Sequence, residues 1–274
     1  MVKLDEVNPV VQNRTRLSFL YAVPIALLGG LIGLGGAEFR LPVLAGPLGY
    51  PARQAVPLNL AVSLVTILTA FLIRGRTLSF TPVLALWPVI TALIVGAVVA
   101  AFFGTALVHK VTNEQLERVI LVFLVVIGLA LLVEAFLPQE IPGLLPNSLA
   151  WRIAAGLGFG LAIGLVSSML GVAGGELIIP TLIFAFGVQV KTAGTASLLI
   201  SLPTVLVGVI RYAGQGAFTN RRSLRDTVAP MGAGSVIGAV LGGVLVGIVP
   251  ATWLKFILGL ILMISAWRIF RRKE

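Results

Sequence analysis

The chain of 274 residues contains no cysteine and a single histidine. The lack of cysteine excludes disulfide bonds, thiolate metal sites and a cysteine nucleophile. The histidine, His109, stands beside Lys110 with no HExxH motif or histidine cluster, so the usual metal sites and bases of membrane hydrolases are missing. No P-loop is present, which argues against an ATP-driven pump. We therefore expect no enzyme activity, no metal and no cofactor.

Charge is also scarce. Charged residues make up 11% of the chain and hydrophobic residues 58%, whereas about 25% of the residues of a soluble domain are charged. This composition predicts an all-α polytopic membrane protein solvated by lipid. The net charge of +10 does not indicate nucleic acid binding, because the bases stand in short clusters between apolar runs, as in membrane proteins with basic cytoplasmic loops. The clusters are Arg14/Arg16, Arg74/Arg76, Arg221/Arg222/Arg225 and Arg268/Arg271/Arg272/Lys273.

A repeat with a spacing of 138 residues organises the chain. A glycine cluster followed by a glutamate, and by a proline four residues later, occurs at Gly33 to Pro42 and again at Gly171 to Pro180. The same spacing relates Leu60/Leu198, Ser63/Ser201, Thr66/Thr204, Gly96/Gly234, Ala101/Ala239 and Gly104/Gly242. Matched Gly, Pro, Glu and Ser are harder to attribute to apolar bias than matched Leu or Val. We therefore predict a cytoplasmic tail (1–16), a first membrane repeat (17–137), a linker (138–152), a second repeat (153–270) and a cytoplasmic tail (271–274).

Each half is expected to hold a broken or re-entrant helix pair and three spanning helices. If the short second arm returns the chain to its starting side, the halves are inverted; if it does not, they are parallel. We favour inversion because the central link, with Glu134 and Glu140 and only Arg152, has the composition of an external segment. Inversion places both termini in the cytoplasm and Arg74 and Arg76 outside.

The two predicted helix breaks are candidates for an anion site. A helix interrupted inside the membrane exposes N–H groups that carry a partial positive charge where its second segment begins. Gly35, Gly36, Gly174 and Gly175 would let a ligand approach this backbone closely. The alternative is that these glycines only allow helices to pack tightly.

A base and several hydrogen-bond donors follow each short arm. Arg53 and Lys191 stand next to a new helix start, with Asn59 in the first half and Thr195 and Ser197 in the second. Together they could bind a sulfonate or carboxylate. Alternatively, Arg53 and Lys191 anchor a helix end by snorkelling. Further hydroxyls continue the same helix faces and either line a path or bond back to their own helix: Ser63, Thr66, Ser201 and Thr204.

Glu38 and Glu176 are charged groups inside otherwise apolar stretches, which are costly and often functional. Either could carry a coupling proton, or could stabilise the start of the second half-helix through the helix dipole. Arg40 has no counterpart in the second half, where Ile178 stands. It could neutralise Glu38 or bind substrate in one half only.

The duplicated glycine cluster with its Glu and Pro resembles the TauE/SafE sulfite exporter family, also called the TSUP permeases. The second copy, with Lys191-Thr192-Ala193-Gly194-Thr195 after its arm, is the closer match; the first has Ala37 at the third glycine position and Val56-Pro57 in place of Gly-Thr. The resemblance implies a multi-pass secondary transporter of the bacterial inner membrane that moves sulfite, thiosulfate or organosulfonates, driven by protons or the membrane potential.

The expected partners are a small anion and the lipid bilayer, and assembly as a homodimer is left open. A passive anion channel, a carrier of non-sulfur organic anions and a structural protein remain alternatives at the level of sequence.

Overall fold

The computed structural model describes residues 9–107, 142–170 and 172–271, with a few positions between 125 and 136. These residues form helices and no strands: α1 (Pro9–Ile32), α2 (Ala37–Ala45), α3 (Ala52–Thr77), α4 (Thr81–Ala85), α5 (Trp87–Leu107), α6 (Leu149–Leu170), α7 (Gly175–Pro180), α8 (Val190–Gly214), α9 (Arg221–Ser223), α10 (Ala229–Ile248) and α11 (Ala251–Arg271). A π-helical turn, Thr181–Ala185, continues α7, and another, Leu224–Val228, leads into α10.

Within the part of the chain that the structure describes, five segments are long and apolar enough to cross a membrane, which confirms the prediction of an all-α polytopic membrane protein. They are Arg14–Ile32, Gln54–Thr77, Leu149–Ser167, Val190–Gly214 and Arg221–Ile248. The helix α6 begins at Leu149, inside the segment predicted as a linker. His109, the third span predicted for the first half and the outermost ends of both tails lie outside the described residues.

The chain interrupts its helices at both glycine clusters. Between α1 and α2, Gly33 has φ 102° and Gly36 has φ 69°, and before α7 Gly174 has φ 76°. These left-handed conformations are readily accessible only to glycine. A glutamate stands at the second position of each following helix, Glu38 in α2 and Glu176 in α7.

The helices α1, α3 and α10 run in the same direction. Glycines of α10 lie against successive carbonyls of α1: Gly234 against Phe19, Gly238 against Val23 and Gly242 against Leu27. Tyr50 and Thr227, which precede α3 and α10, share a hydrogen bond of 2.7 Å, and at the other ends Thr77 donates to the Gly243 carbonyl at 2.9 Å. Since α1 and α3 are parallel, α2 returns the chain to the end where α1 began.

The helices α5, α6 and α8 run in the opposite direction. Glycines of α6 lie against successive carbonyls of α5: Gly156 against Val89, Gly160 against Leu93 and Gly164 against Ala97. The end of α8 meets the end of α5 where Arg211 donates to the Ala101 carbonyl at 2.9 Å. Small residues let these backbones approach closely, as is common in membrane helix pairs.

The two breaks meet at the centre of the bundle. A Cβ added to Gly35 would lie 2.7 Å from the Ala173 Cβ, and one added to Gly175 would lie 2.9 Å from a methyl carbon of Leu34. The two interrupted segments are therefore in direct contact, with α3 and α8 packed on either side.

Candidate functional site

The glycines of the breaks are packed against protein atoms. A Cβ on Gly36 would lie 2.9 Å from Ile25, and one on Gly174 would lie 3.1 Å from Ile163. Together with the contacts of Gly35 and Gly175, these distances match the packing alternative for the four glycines. Their proposed role in ligand binding stays a prediction.

Arg40 lies at the break of the first half with 0% of its surface exposed. Its guanidinium donates to five groups around it, and each of these groups is neutral: Ser63 Oγ at 2.9 Å, Thr66 Oγ1 at 3.0 Å, the Gly35 carbonyl at 3.2 Å, Asn59 Oδ1 at 3.4 Å and the Asn59 carbonyl at 3.5 Å. Asn59 in turn donates to the Ala37 carbonyl at 3.0 Å. This network ties α2 to α3 and fixes the guanidinium in the interior.

Glu38 does not share in the Arg40 network. Both of its carboxylate oxygens are buried and have no hydrogen-bond partner, and the Nε of Arg40 is also buried without one. The expectation that Arg40 neutralises Glu38 is thus not met by a hydrogen-bonded pair. Hydrogen-bonded capping is not seen either, since Gly36 is the cap residue and no side chain bonds there. Glu38 is left as a buried acid in the first turn of α2.

Arg74 is a second fully buried arginine, at 0% exposure. It binds the carboxyl end of α1 through the Leu31 carbonyl at 2.8 Å and the Gly30 carbonyl at 3.0 Å, and the start of α8 through Thr195 Oγ1 at 3.1 Å. The last carbonyls of a helix have no partner within it and carry a partial negative charge, which the guanidinium satisfies. The sequence did not predict this burial, because Arg74 was grouped with Arg76 in one basic cluster; its position on the external side stays a prediction. Its neighbour Arg76 is exposed.

The remaining candidates of the second half lie in two places, near the end of α10 and at the break. Lys191 is half-buried and its Nζ donates to the Gly247 carbonyl, near the end of α10, at 3.4 Å. This contact fits the anchoring alternative. Thr195 binds Arg74, whereas the buried Ser197 hydroxyl faces the break without a hydrogen-bond partner. Glu176 is half-buried. The side chain of Arg53 lies outside the described part of the structure.

A cavity of about 80 Å³ lies apart from these candidates, between α3, α5, α6 and α8. Its polar lining comes from Ser167, Thr204, Arg211, Tyr212 and Gln215, and its apolar lining includes Leu60, Val205 and Gly208. A void of this size holds several waters or one small anion. Among the described residues of its lining, Arg211 alone is charged.

Sequence reasoning missed the cavity and underestimated both buried arginines. The signal for Arg74 was present: it continues the α3 face of Asn59, Ser63 and Thr66 at helical spacing. The corresponding face of α8 carries Thr204 and Tyr212, and both of these residues line the cavity.

Comparison with known proteins gives one family. The family model described as sulfite exporter TauE/SafE matches residues 18–266, nearly the whole chain. Among curated proteins, none matches the chain.

Proposed function

The chain belongs to the sulfite exporter TauE/SafE family, a family of membrane transporters for sulfur-containing anions such as sulfite, and we propose that it exports such anions by alternating access. Sulfite, thiosulfate and small organosulfonates are the proposed substrates, with a proton or the membrane potential as the driving force. The observation that carries this mechanism is the contact of two interrupted helices at the centre of the bundle. Transporters of this architecture bind substrate where broken helices of two repeats meet.

The helix directions support inverted repeats. The helices α1 and α6 begin the two predicted repeats and run in opposite directions, as do α3 and α8, and each break is followed by a short arm. A carrier with inverted halves can alternate between two equivalent conformations, each of which is open to one side of the membrane.

The charge distribution supports an orientation in the membrane. Five exposed arginines lie at the end of the bundle where α1 and α10 begin: Arg14, Arg16, Arg221, Arg222 and Arg225. Thr15 donates to the Asp226 carbonyl at this end, which brings the two segments together. The positive-inside rule then favours a cytoplasmic position for this end, in a bacterial inner membrane, with both termini on that side.

Flux measurements in proteoliposomes test the proposed function. We expect the reconstituted protein to accumulate sulfite or methanesulfonate against a concentration gradient when a proton gradient or membrane potential is imposed. A protonophore should abolish this accumulation. Liposomes without protein and liposomes with Arg74→Gln protein provide the controls.

Two results would count against the proposal. Movement only down the anion gradient, unaffected by a protonophore, would indicate a passive channel, which could share the same lined path. Flux no greater than in empty liposomes for every sulfur anion tested would reject transport of this class.

Glu38→Gln tests the role of the buried acid. A buried carboxylate without hydrogen bonds destabilises the folded state, and such groups in membrane proteins are usually functional. We therefore expect the variant to melt at or above the temperature of the parent. If Glu38 carries the coupling proton, flux in the variant should also lose its dependence on pH and on the protonophore. Melting curves in detergent and flux between acidic and alkaline pH check both points. Glu176→Gln is the matched variant of the second half. A lower melting temperature for Glu38→Gln would contradict the expected cost of the buried carboxylate, and an unchanged pH profile would reject Glu38 as the coupling group.

A further inference from the structure

The cavity is lined by residues whose equivalents in the first half take part in guanidinium contacts. Residues 138 positions before its lining include Thr66 and Arg74, which correspond to Thr204 and Tyr212. Thr66 is bonded to the Arg40 guanidinium at 3.0 Å, and Arg74 is bonded to the end of α1. In the second half Ile178 stands in place of Arg40, and Thr204 and Tyr212 line the cavity.

The cavity has the electrostatic character of an anion site. Arg211 supplies a positive charge, and the other polar lining groups are three hydroxyls and an amide. The Ser167 and Thr204 hydroxyls already donate to the Val172 and Ile200 carbonyls, so Tyr212 and Gln215 are the further donors for a ligand. The guanidinium is held in place by donating to the Ala101 carbonyl at 2.9 Å and by lying over the Phe102 ring, 5.6 Å from its centroid. A guanidinium held in place in this way can donate two hydrogen bonds to the oxygens of a planar or pyramidal oxyanion.

The cavity opens toward the end of the bundle where α1 begins. Ser167 and Thr204 lie at its inner side, close to the break after α6, whereas Gln215 is exposed just beyond the end of α8. At the opposite end, Arg74 joins α1, α3 and α8 and is fully buried. The cavity therefore reaches toward the surface at the end where α1 begins, whereas Arg74 joins the helices at the opposite end.

We propose that this cavity is the substrate site in its inward-open form, and that it binds a sulfite or sulfonate oxyanion through Arg211, Tyr212 and Gln215. Leu60 and Val205 would contact a short apolar substituent on the sulfur. The inference rests on the proposed transport function and deepens it, because it places the anion in one site whose polar groups come from the second half, rather than between two symmetric cradles.

The lack of cysteine in the chain provides a direct test. Thr204→Cys introduces a single thiol of similar size into the inner side of the cavity. Its rate of modification is measured with two reagents of equal reach, the anionic sulfonatoethyl methanethiosulfonate and the cationic trimethylammonioethyl methanethiosulfonate. The ratio of the two rates is normalised to the ratio for a free thiol in solution.

We expect the normalised ratio to favour the anionic reagent by roughly tenfold, the effect of one charge-assisted contact. Arg211→Gln should remove this preference and Arg211→Lys should retain much of it. Methanesulfonate should slow the reaction with the anionic reagent. Thr66→Cys, at the equivalent position of the first half, is the matched control and should react with neither reagent.

Calorimetry of the parent chain with sulfite and with methanesulfonate distinguishes an inorganic from an organic ligand, and Arg211→Gln should weaken both. Equal rates for the two reagents at Thr204→Cys, no reaction with either, or equal reactivity at Thr66→Cys would overturn the site. A chain that shows no flux but retains the anionic preference would reject the transport function and leave the anion cavity standing. Flux without a preference for the anionic reagent would reject the cavity as the anion site and would still support the transport function.

Discussion

Replacing Arg74 by Gln is expected to cause a large loss of stability. Arg74 is at 0% exposure and donates to two carbonyls at the end of α1, Gly30 and Leu31, as well as to Thr195 on α8. A glutamine cannot span these three partners, so at least one helix-end carbonyl would lose its donor in a place without bulk water. Because a buried polar group left unpaired costs about 1–3 kcal/mol and a broken buried charge network more, we expect destabilisation of about 3 kcal/mol or more.

Thermal melting in detergent, followed by proteoliposome flux, measures the effect of Arg74→Gln. Arg76→Gln is the matched control, since it removes the same group two residues along the same helix from an exposed side chain. The free energy of unfolding of that variant should lie within about 0.5 kcal/mol of that of the parent. Arg74→Lys should rescue only in part, because an ammonium lacks the forked geometry of the guanidinium. Equal melting of Arg74→Gln and Arg76→Gln would show that the burial of Arg74 has no energetic importance.

The fold class could be predicted because it depends on local properties of the chain. Length of apolar runs and scarcity of charge are read directly from the sequence, and they are confirmed by five helices able to span a membrane. The interruptions were also predictable, since Gly36 and Gly174 adopt left-handed conformations that a glycine cluster permits.

The site could be predicted only in part because its chemistry depends on which way side chains turn. Arg74 and Arg76 form one basic cluster in the sequence, yet one is buried and the other is exposed. Two residues along a helix rotate a side chain by about 200°, so neighbours in a cluster face opposite environments. Only the position of α1 beside α3 decides which of the two lies inside.

The cavity was beyond the reach of sequence reasoning for a different reason. Its lining comes from four helices that are distant in the sequence, and it includes Tyr212 where the first half has Arg74. A repeat read from sequence favours a symmetric site. The structure instead shows that the halves differ most where their polar faces reach the breaks.

Gly194→Ala is expected to have an effect comparable to that of Arg74→Gln, through close packing rather than charge. A Cβ at Gly194 would lie 2.1 Å from the Ile32 carbonyl oxygen and 2.8 Å from an Arg74 nitrogen. Both contacts are far inside ordinary separation, and the first partner is backbone, so the end of α1 and the start of α8 would have to move apart. Overpacking of this kind costs about 1–3 kcal/mol and sometimes more.

The matched control is Gly158→Ala, because Gly158 lies within α6 and no heavy atom stands within 4 Å of an added Cβ. Alanine favours a helix over glycine by about 1 kcal/mol, so this variant should melt at or above the temperature of the parent. A lower melting temperature for Gly194→Ala, together with an equal or higher one for Gly158→Ala, would establish that Gly194 is needed for the approach of α1 to α8. If Gly194→Ala melts at the same temperature as the parent, the end of α1 and the start of α8 are farther apart than in the structure. That result would also contradict the joining of these two helices by Arg74.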